Sequence, residues 1–302
     1  MDSDTNCIVI KHVGLIGFGE AGTLLGRGLA AAGLSVRAYD IKFCAADLRL
    51  ASAEKATPTG VTLVYTPEKA IENADLIISA VTAGSAAQVA EHIGPRLGPH
   101  QFFLDINSVS PATKRHDQQA VQANGAHYVE AAVMAPIPPY GLQVPMLLGG
   151  DHAHSLSKAL NTLGMRTRAV SEEIGIASAI KMCRSVIIKG MEALTMECLA
   201  AARAYNAEKE VLASLDETYP NMGWADQLPH YLISRIAEHG ERRAAEMREV
   251  AHTLSEAQIQ PTMALAAAQT HQATADQVKQ KGMRYNKEER FNWPTFVDQL
   301  KR

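Results

Sequence analysis

Three glycines, Gly17, Gly19 and Gly22, stand at G-x-G-x-x-G spacing in the stretch GLIGFGEAG, directly after an apolar run. Such a stretch has a chemical use where a phosphorylated ligand meets the backbone. Gly17 would allow a tight turn, Gly19 would let a pyrophosphate come close, and Gly22 would let the following helix pack against the preceding strand. The start of that helix adds unpaired N–H groups and the positive end of its dipole, which together favour an anion. Asp40 ends the next apolar run, where a carboxylate would accept hydrogen bonds from an adenosine ribose. Its charge repels a ribose 2′-phosphate, which argues for NAD. Arg37 and Lys42 bring positive charge beside it, so NADP stays open. Phe18, Glu20 and Ala21 complete the loop side of the expected cofactor set. Val81, Thr82 and Asn107, at the ends of two later apolar runs, complete its far side.

The second chemical group is Lys181, set in the apolar stretch ASAIKMC. A lysine amine can exchange the proton that accompanies hydride transfer at a neighbouring carbon, if desolvation or nearby charge lowers its pKa. Lys181 falls near the start of a long helical pattern, whose positive end disfavours an ammonium. At helical spacing Lys181, Ser185, Ile188 and Glu192 share one face, which leaves Lys189 off it. Ser185 could hydrogen-bond the reacting oxygen, against the plainer reading of an ordinary helix residue. Glu192 could orient or titrate with a neighbour, against the plainer reading of an ion-paired side chain. HGERRAAEM offers His239, Arg242, Arg243 and Glu246. A guanidinium suits carboxylate or phosphate recognition, but a solvated face laced by an Arg242–Glu246 pair at i, i+4 is the plainer reading. His152 and His154 in GGDHAHS read as a turn and not as a metal site, because no cysteine or acidic cluster joins them.

These groups need elements to hold them. VGLIGF (13–18), SVRAYD (35–40), TLVYT (62–66), LIISAV (76–81) and FFLDIN (102–107) read as strands. Helical patterns separate them, in EAGTLLGRGLAAAG, AADLRLASAEKA, PEKAIENA and SAAQVAEHIGPRLG. Near-continuous apolar strands alternating with helices imply a parallel sheet covered on both faces. A helix at about 111–124, the strands HYVEAAV and PMLLGG around the proline-rich loop MAPIPPYG, a helix at about 154–163 and the strand RTRAVS close this half. After Ser171 strand signals stop. A long helix runs from Ile174 to about Tyr205, followed by shorter helices broken at YPNMGW, Gly240, Pro261 and Gly282. The expected division is therefore an α/β half over 1–171 and an all-α half over 172–302.

Hydrophobic residues make up 47% and charged residues 20% of the 302, with a net charge of −3, so neither nucleic acid nor an anionic membrane is an expected partner. No apolar run approaches a membrane span, and the acidic start MDSDTNC is no signal peptide. Cys7, Cys44, Cys183 and Cys198 show no C-x-x-C spacing and read as reduced thiols of a cytoplasmic protein. Cys183 and Cys198 are expected to be packed inside.

Three later segments add a resemblance to the glycine fingerprint. DINSVSP (105–111), YVEAAVMAPIPPYGLQVPMLLGG (128–150) and GIASAIKMCRS (175–185) together resemble the β-hydroxyacid dehydrogenase family. That family includes 3-hydroxyisobutyrate, tartronate semialdehyde and 6-phosphogluconate enzymes. The C-terminal part is similar to a divergent phosphogluconate dehydrogenase-like branch, on KMCRSVIIKGMEAL and HGERRAAEM. The resemblance implies an α/β Rossmann domain followed by an all-α C-terminal domain. It implies hydride transfer between NAD(P) and a small hydroxy acid or related alcohol or carbonyl, and a homodimer through the helical domain. Lys181 matches the family's catalytic lysine, and Ser108 matches a serine that helps bind substrate, although NSVSP could also simply begin a helix. Ser185 stands where the family carries asparagine, and Met134, Ala135 and Pro136 stand where it carries Ser-Gly-Gly. Imine reductases share the architecture but typically lack the lysine. A dinucleotide-binding protein without catalysis is the other alternative.

Overall fold

The computed structural model describes residues 8–44, 60–285 and 290–301. The helix expected over AADLRLASAEKA lies outside them. The chain forms two compact units, Met1–Lys181 and Met182–Arg302.

In the first unit eight strands make one sheet: β1 (His12–Ile16), β2 (Ser35–Tyr39), β3 (Thr62–Leu63), β4 (Leu76–Ser79), β5 (Phe102–Asp105), β6 (His127–Val133), β7 (Pro145–Gly149) and β8 (Arg166–Ser171). Their order is β3-β2-β1-β4-β5-β6-β7-β8, with every neighbouring pair parallel except β6–β7. The first six strands thus reproduce the doubly wound order 3-2-1-4-5-6, which reverses between β1 and β4 and opens a crevice at their C-terminal ends. Helices α1 (Glu20–Ala31), α2 (Pro67–Ile71), α3 (Ala86–Ile93), α4 (Pro111–Gln122), the one-turn α5 (Ile137–Tyr140) and α6 (Ala153–Thr162) connect the strands.

The strands are apolar on both sides because both faces are covered. Leu15, Leu76, Ile78 and Leu104 join one buried cluster with α1 and α6, while Ile16, Ile77 and Phe103 join another with α2, α3 and α4. Helix starts follow local chemistry. Thr66 caps α2 by accepting from the Lys69 amide, Ser110 caps α4 by accepting from the Thr113 amide, and a proline follows each as the first helical residue.

The long helix α7 (Ile176–Ala204) begins in the first unit and continues into the second. The second unit adds α8 (Glu208–Thr218), α9 (Leu228–Glu256), α10 (Thr262–Gln280) and α11 (Trp293–Lys301). The break expected at Gly240 is only a kink, with His239 at φ −133° and ψ 15° inside a continuous α9. A Cβ at Gly240 would lie 3.0 Å from the His271 carbonyl oxygen, so glycine here serves the close packing of α9 on α10. Cys183 and Cys198 are exposed, contrary to the expected internal packing. Both fall on the side of α7 turned away from Met182, Met196 and Leu199, which carry its buried face.

Candidate active site

The glycine loop leaves β1 at its C-terminal end. Gly17 has φ +99°, and a Cβ there would lie 2.3 Å from the Ala80 carbonyl oxygen. A Cβ at Gly22 would lie 2.1 Å from the Gly17 carbonyl oxygen. Both positions therefore demand glycine for the turn and the packing. Gly19 differs. It is exposed, has ordinary backbone angles, and a Cβ there would meet nothing within 4 Å. It opens α1 with no side-chain cap, so nothing in the fold itself requires glycine at this point. An anion approaching the backbone would require it, and the loop fits a pyrophosphate on that ground.

Asp40 closes the loop from the end of β2. Its Oδ2 accepts from the Phe18 amide at 2.7 Å and its Oδ1 from the Lys42 amide at 3.0 Å. A carboxylate has about four acceptor positions, so capacity remains for a ribose. The Phe18 amide donates to Asp40 and its ring is buried against Phe43. Glu20 is exposed and Ala21 half-buried in the first turn of α1. Arg37 is tied to the α2 connection, donating to the Glu72 carbonyl at 3.2 Å with the Glu72 carboxylate 3.9 Å away. Asn107 pins two strand ends together, accepting from the Val81 amide at 2.8 Å and donating to Ser79 Oγ at 2.9 Å. The Val81 amide and the Asn107 side chain are thus committed within the protein, while Thr82 is exposed beside them.

Ser108 leaves the next strand end, after β5. Lys181 Nζ donates to its Oγ at 2.5 Å, and both residues are half-buried. The helix cap in NSVSP is Ser110, which leaves Ser108 free of that duty.

Beneath this pair lies a buried polar network that the sequence reading missed. Asp105 Oδ2 accepts from the Tyr128 hydroxyl at 2.8 Å and lies 3.0 Å from Lys114 Nζ, while its Oδ1 accepts from the Asn107 amide at 2.9 Å. Lys114 also donates to the Asp105 carbonyl at 2.9 Å, and both side chains are 1% exposed. Burial, and then the Asp105 carboxylate, push Asp117 up to about 6 and the Tyr128 phenol above its ordinary range. Opposite Asp105 on β6 stands Glu130, also fully buried. Its Oε1 accepts from the Gly175 and Ala177 amides at 2.7 and 3.0 Å, and its Oε2 from Ser178 at 3.3 Å. The start of α7 is therefore covered by a carboxylate. This corrects the expectation that a bare positive helix end acts on Lys181. The available signal was a carboxylate in the middle of each of two apolar strands, FFLDIN and YVEAAV.

In the second unit the face of α7 differs from the expected one. Lys189 is buried and donates to Ser185 Oγ at 3.1 Å, while Ile188, placed on that face by spacing, is 38% exposed. A straight 100° step along the helix underestimates how far the buried side extends around it. Lys189 lies 2.9 Å from Glu246 Oε2, Arg242 donates to Glu246 Oε1 at 2.9 Å as the plainer reading had it, and Arg243 Nε lies 3.0 Å from Glu192 Oε2. That last approach is an ion contact without hydrogen-bond geometry, since neither atom has a hydrogen-bond partner among the described residues. Burial outweighs pairing on both sides of it, raising Glu192 to about 7 and lowering Arg243. Burial likewise lowers Lys189, and takes the imidazoles of His271 and His239 down to about 4.

An α/β unit with a glycine-rich nucleotide loop, a strand-end aspartate and a serine–lysine pair, followed by a helical unit, is the architecture of the 3-hydroxyacid dehydrogenases. Residues 12–136 match the NAD binding domain of 6-phosphogluconate dehydrogenase, and residues 202–274 match a domain of unknown function, DUF1932. A conserved hypothetical protein from Sinorhizobium meliloti 1021 is 34% identical, with 98% of each chain covered and a TM-score of 0.75. The conserved protein MTH1747, of unknown function and structurally similar to 3-hydroxyacid dehydrogenases, is 30% identical over 88% of this chain and 97% of its own, with a TM-score of 0.69. The chain belongs to this family of 3-hydroxyacid dehydrogenase-like proteins, in which the 6-phosphogluconate dehydrogenase type of NAD-binding domain precedes DUF1932. Mycobacterium tuberculosis 3-hydroxyisobutyrate dehydrogenase with L-serine shares the fold at 13% identity, covering 97% of this chain and 100% of its own, with a TM-score of 0.73. Streptomyces aurantiacus imine reductase shares it at 18% identity, 97% and 100% coverage and a TM-score of 0.56. Among the described residues no helix is long and apolar enough to cross a membrane.

Proposed function

We propose that this chain is an NAD(P)-dependent oxidoreductase that acts on a hydroxy acid or a related alcohol or carbonyl, with Lys181 handling the proton. The observation that carries the reading is the Lys181 Nζ–Ser108 Oγ hydrogen bond of 2.5 Å, past the C-terminal end of β5 in the sheet whose β1 bears the nucleotide loop. Bound nicotinamide supplies the hydride acceptor in oxidation and the donor in reduction. Lys181 Nζ takes the hydroxyl proton in oxidation and returns it to the carbonyl oxygen in reduction. Ser108 Oγ aims the amine and holds a substrate oxygen by hydrogen bond. Ser185, one helical turn beyond Lys181, is a further proposed substrate contact, and its Oγ accepts from Lys189 Nζ. Asp40 supports NAD over NADP, since a second anion placed against its carboxylate is repelled.

A homodimer through α7 belongs to the same reading. Ile180, Ile187 and Leu194 recur every seven residues along α7, at 41, 64 and 54% exposure. Ile187→Glu should lower the mass measured by light scattering from dimer to monomer.

The test is a spectrophotometric screen with NADH and NADPH, and with the oxidised forms, over hydroxy acids, sugar acids, aromatic β-hydroxy compounds and cyclic imines. Turnover of a hydroxy acid or its carbonyl partner supports the proposal. Turnover confined to cyclic imines replaces it with an imine reductase. Cofactor binding without turnover anywhere in the panel replaces it with a binding protein.

A further inference from the structure

Two buried carboxylates face each other across neighbouring strands. Asp105 on β5 and Glu130 on β6 are register partners, and each is tied to a different half of the serine–lysine pair. Asp105 holds its own loop: it accepts from the Asn107 amide, one residue before Ser108, and is clamped by Lys114 from α4. Glu130 holds the other half, because its carboxylate bonds three amides at the start of α7, and Lys181 lies one turn beyond them.

The surroundings of Glu130 are shaped to keep it there. Its partner on the next strand is Gly149, where a Cβ would lie 2.6 Å from Glu130 Oε1. The residue it grips most closely, Gly175, has φ +107°, a conformation other residues rarely adopt. Gly149 thus leaves the space the carboxylate fills, and Gly175 gives the chain the left-handed turn at which its amide meets that carboxylate. A buried charge needs such saturation to be tolerated. Packing alone would be met more simply by an apolar side chain. We propose that Glu130 is a positioning residue, which fixes the first turn of α7 and so holds the Lys181 amine on Ser108.

The consequence for turnover rests on the function proposed above. The consequence for Lys181 does not. The two shortest bonds share one oxygen, Oε1, which defines a graded series. Glu130→Ala removes the grip. Glu130→Asp keeps the charge but is one methylene too short to reach the amides. Glu130→Gln keeps a carbonyl oxygen at full length for Gly175 and Ala177 and gives up only the 3.3 Å bond to Ser178.

The experiment measures three quantities on the full-length protein loaded with NADH. These are the dissociation constant for NADH, the rate of acetylation of Lys181 by acetic anhydride read by peptide mass spectrometry, and, with a substrate from the screen, kcat and KM. In the Ala and Asp variants Lys181 should acetylate several-fold faster than in the parent and kcat should fall by about 10–100-fold. In the Gln variant both should return to within about fivefold of the parent. The NADH dissociation constant should stay within about twofold throughout, since the glycine loop is untouched. If the Ala variant does not fold, the Asp and Gln variants decide alone, because charge and reach predict opposite orders for them.

Acetylation at the parental rate in every folded variant would overturn the inference. So would an Asp variant that behaves as the parent, or losses of NADH affinity that track those of kcat. Acetylation that follows the series while turnover does not upholds the positioning of Lys181 and removes Lys181 from the chemistry.

Discussion

Gly19→Ala separates the fold from the ligand. The new methyl meets nothing within 4 Å, and Gly19 has no positive φ to lose, so the unliganded protein should unfold in urea within about 0.5 kcal/mol of the parent. A pyrophosphate oxygen bonded to loop amides at about 2.9 Å has no such tolerance, because a neighbouring carbon needs about 3.5 Å. The anion must retreat and give up about one charge-assisted hydrogen bond, roughly 1.5–3 kcal/mol, or ten- to a hundredfold in Kd. Gly22→Ala is the control: its methyl would lie 2.1 Å from the Gly17 carbonyl oxygen, a backbone atom that no side-chain rotation can move aside. It should cost about 1–3 kcal/mol of stability before any ligand is added. Fluorescence titration with NADH and urea denaturation read the two quantities. A Gly19→Ala protein that binds NADH within about twofold of the parent would refute the placing of the pyrophosphate. A Gly19→Ala protein destabilised as much as Gly22→Ala would refute the claim that the space is empty.

Asp40→Asn keeps an oxygen for the Phe18 amide but drops the charge, so NADPH should gain on NADH by about 1–3 kcal/mol in competitive titration. Equal or better NADPH binding by the parent would overturn the preference for NAD. Glu192, raised from 4.5 to about 7, leaves the folded chain binding more protons than the unfolded one in that window, so it lowers stability as pH rises through it. His271, lowered from 6.5 to about 4, acts in the opposite sense between those values. Glu192→Gln removes only the first effect. Its stability in urea should therefore gain on the parent by about 3 kcal/mol between roughly pH 4.5 and pH 8, and a constant difference would contradict the burial of that carboxyl.

The glycine loop and the alternation of apolar strands with helices were legible because each is written locally, as a spacing and a period, whereas the order of the strands in the sheet was not. The Ser108–Lys181 contact spans residues far apart in the chain and was reachable only through the family resemblance. Spacing alone offered Ser108 as a helix cap, a duty that Ser110 performs. The role of Asp105 and Glu130 was hidden because what a buried acid grips depends on strand register and on where a later helix begins. Lys189 was misplaced for a related reason. The buried side of α7 is set by the helices packed on it, so an idealised stripe put Ile188 where Lys189 stands. Gly240 looked like a helix end by residue type, yet the approach of His271 makes it a packing position within a kinked helix.

The central claim is that Lys181 carries the proton at a site built on a working nucleotide loop, and Lys181→Met tests it most directly. The substitution keeps an apolar stem of similar length and removes the amine that bonds Ser108. With a substrate from the screen, kcat should fall by about 10²–10⁴-fold, and one limb of the pH–rate profile should vanish. The NADH dissociation constant should stay within about twofold, since the loop from Gly17 to Gly22 is unchanged. A Met variant that turns over at the parental rate with both limbs intact would contradict the account.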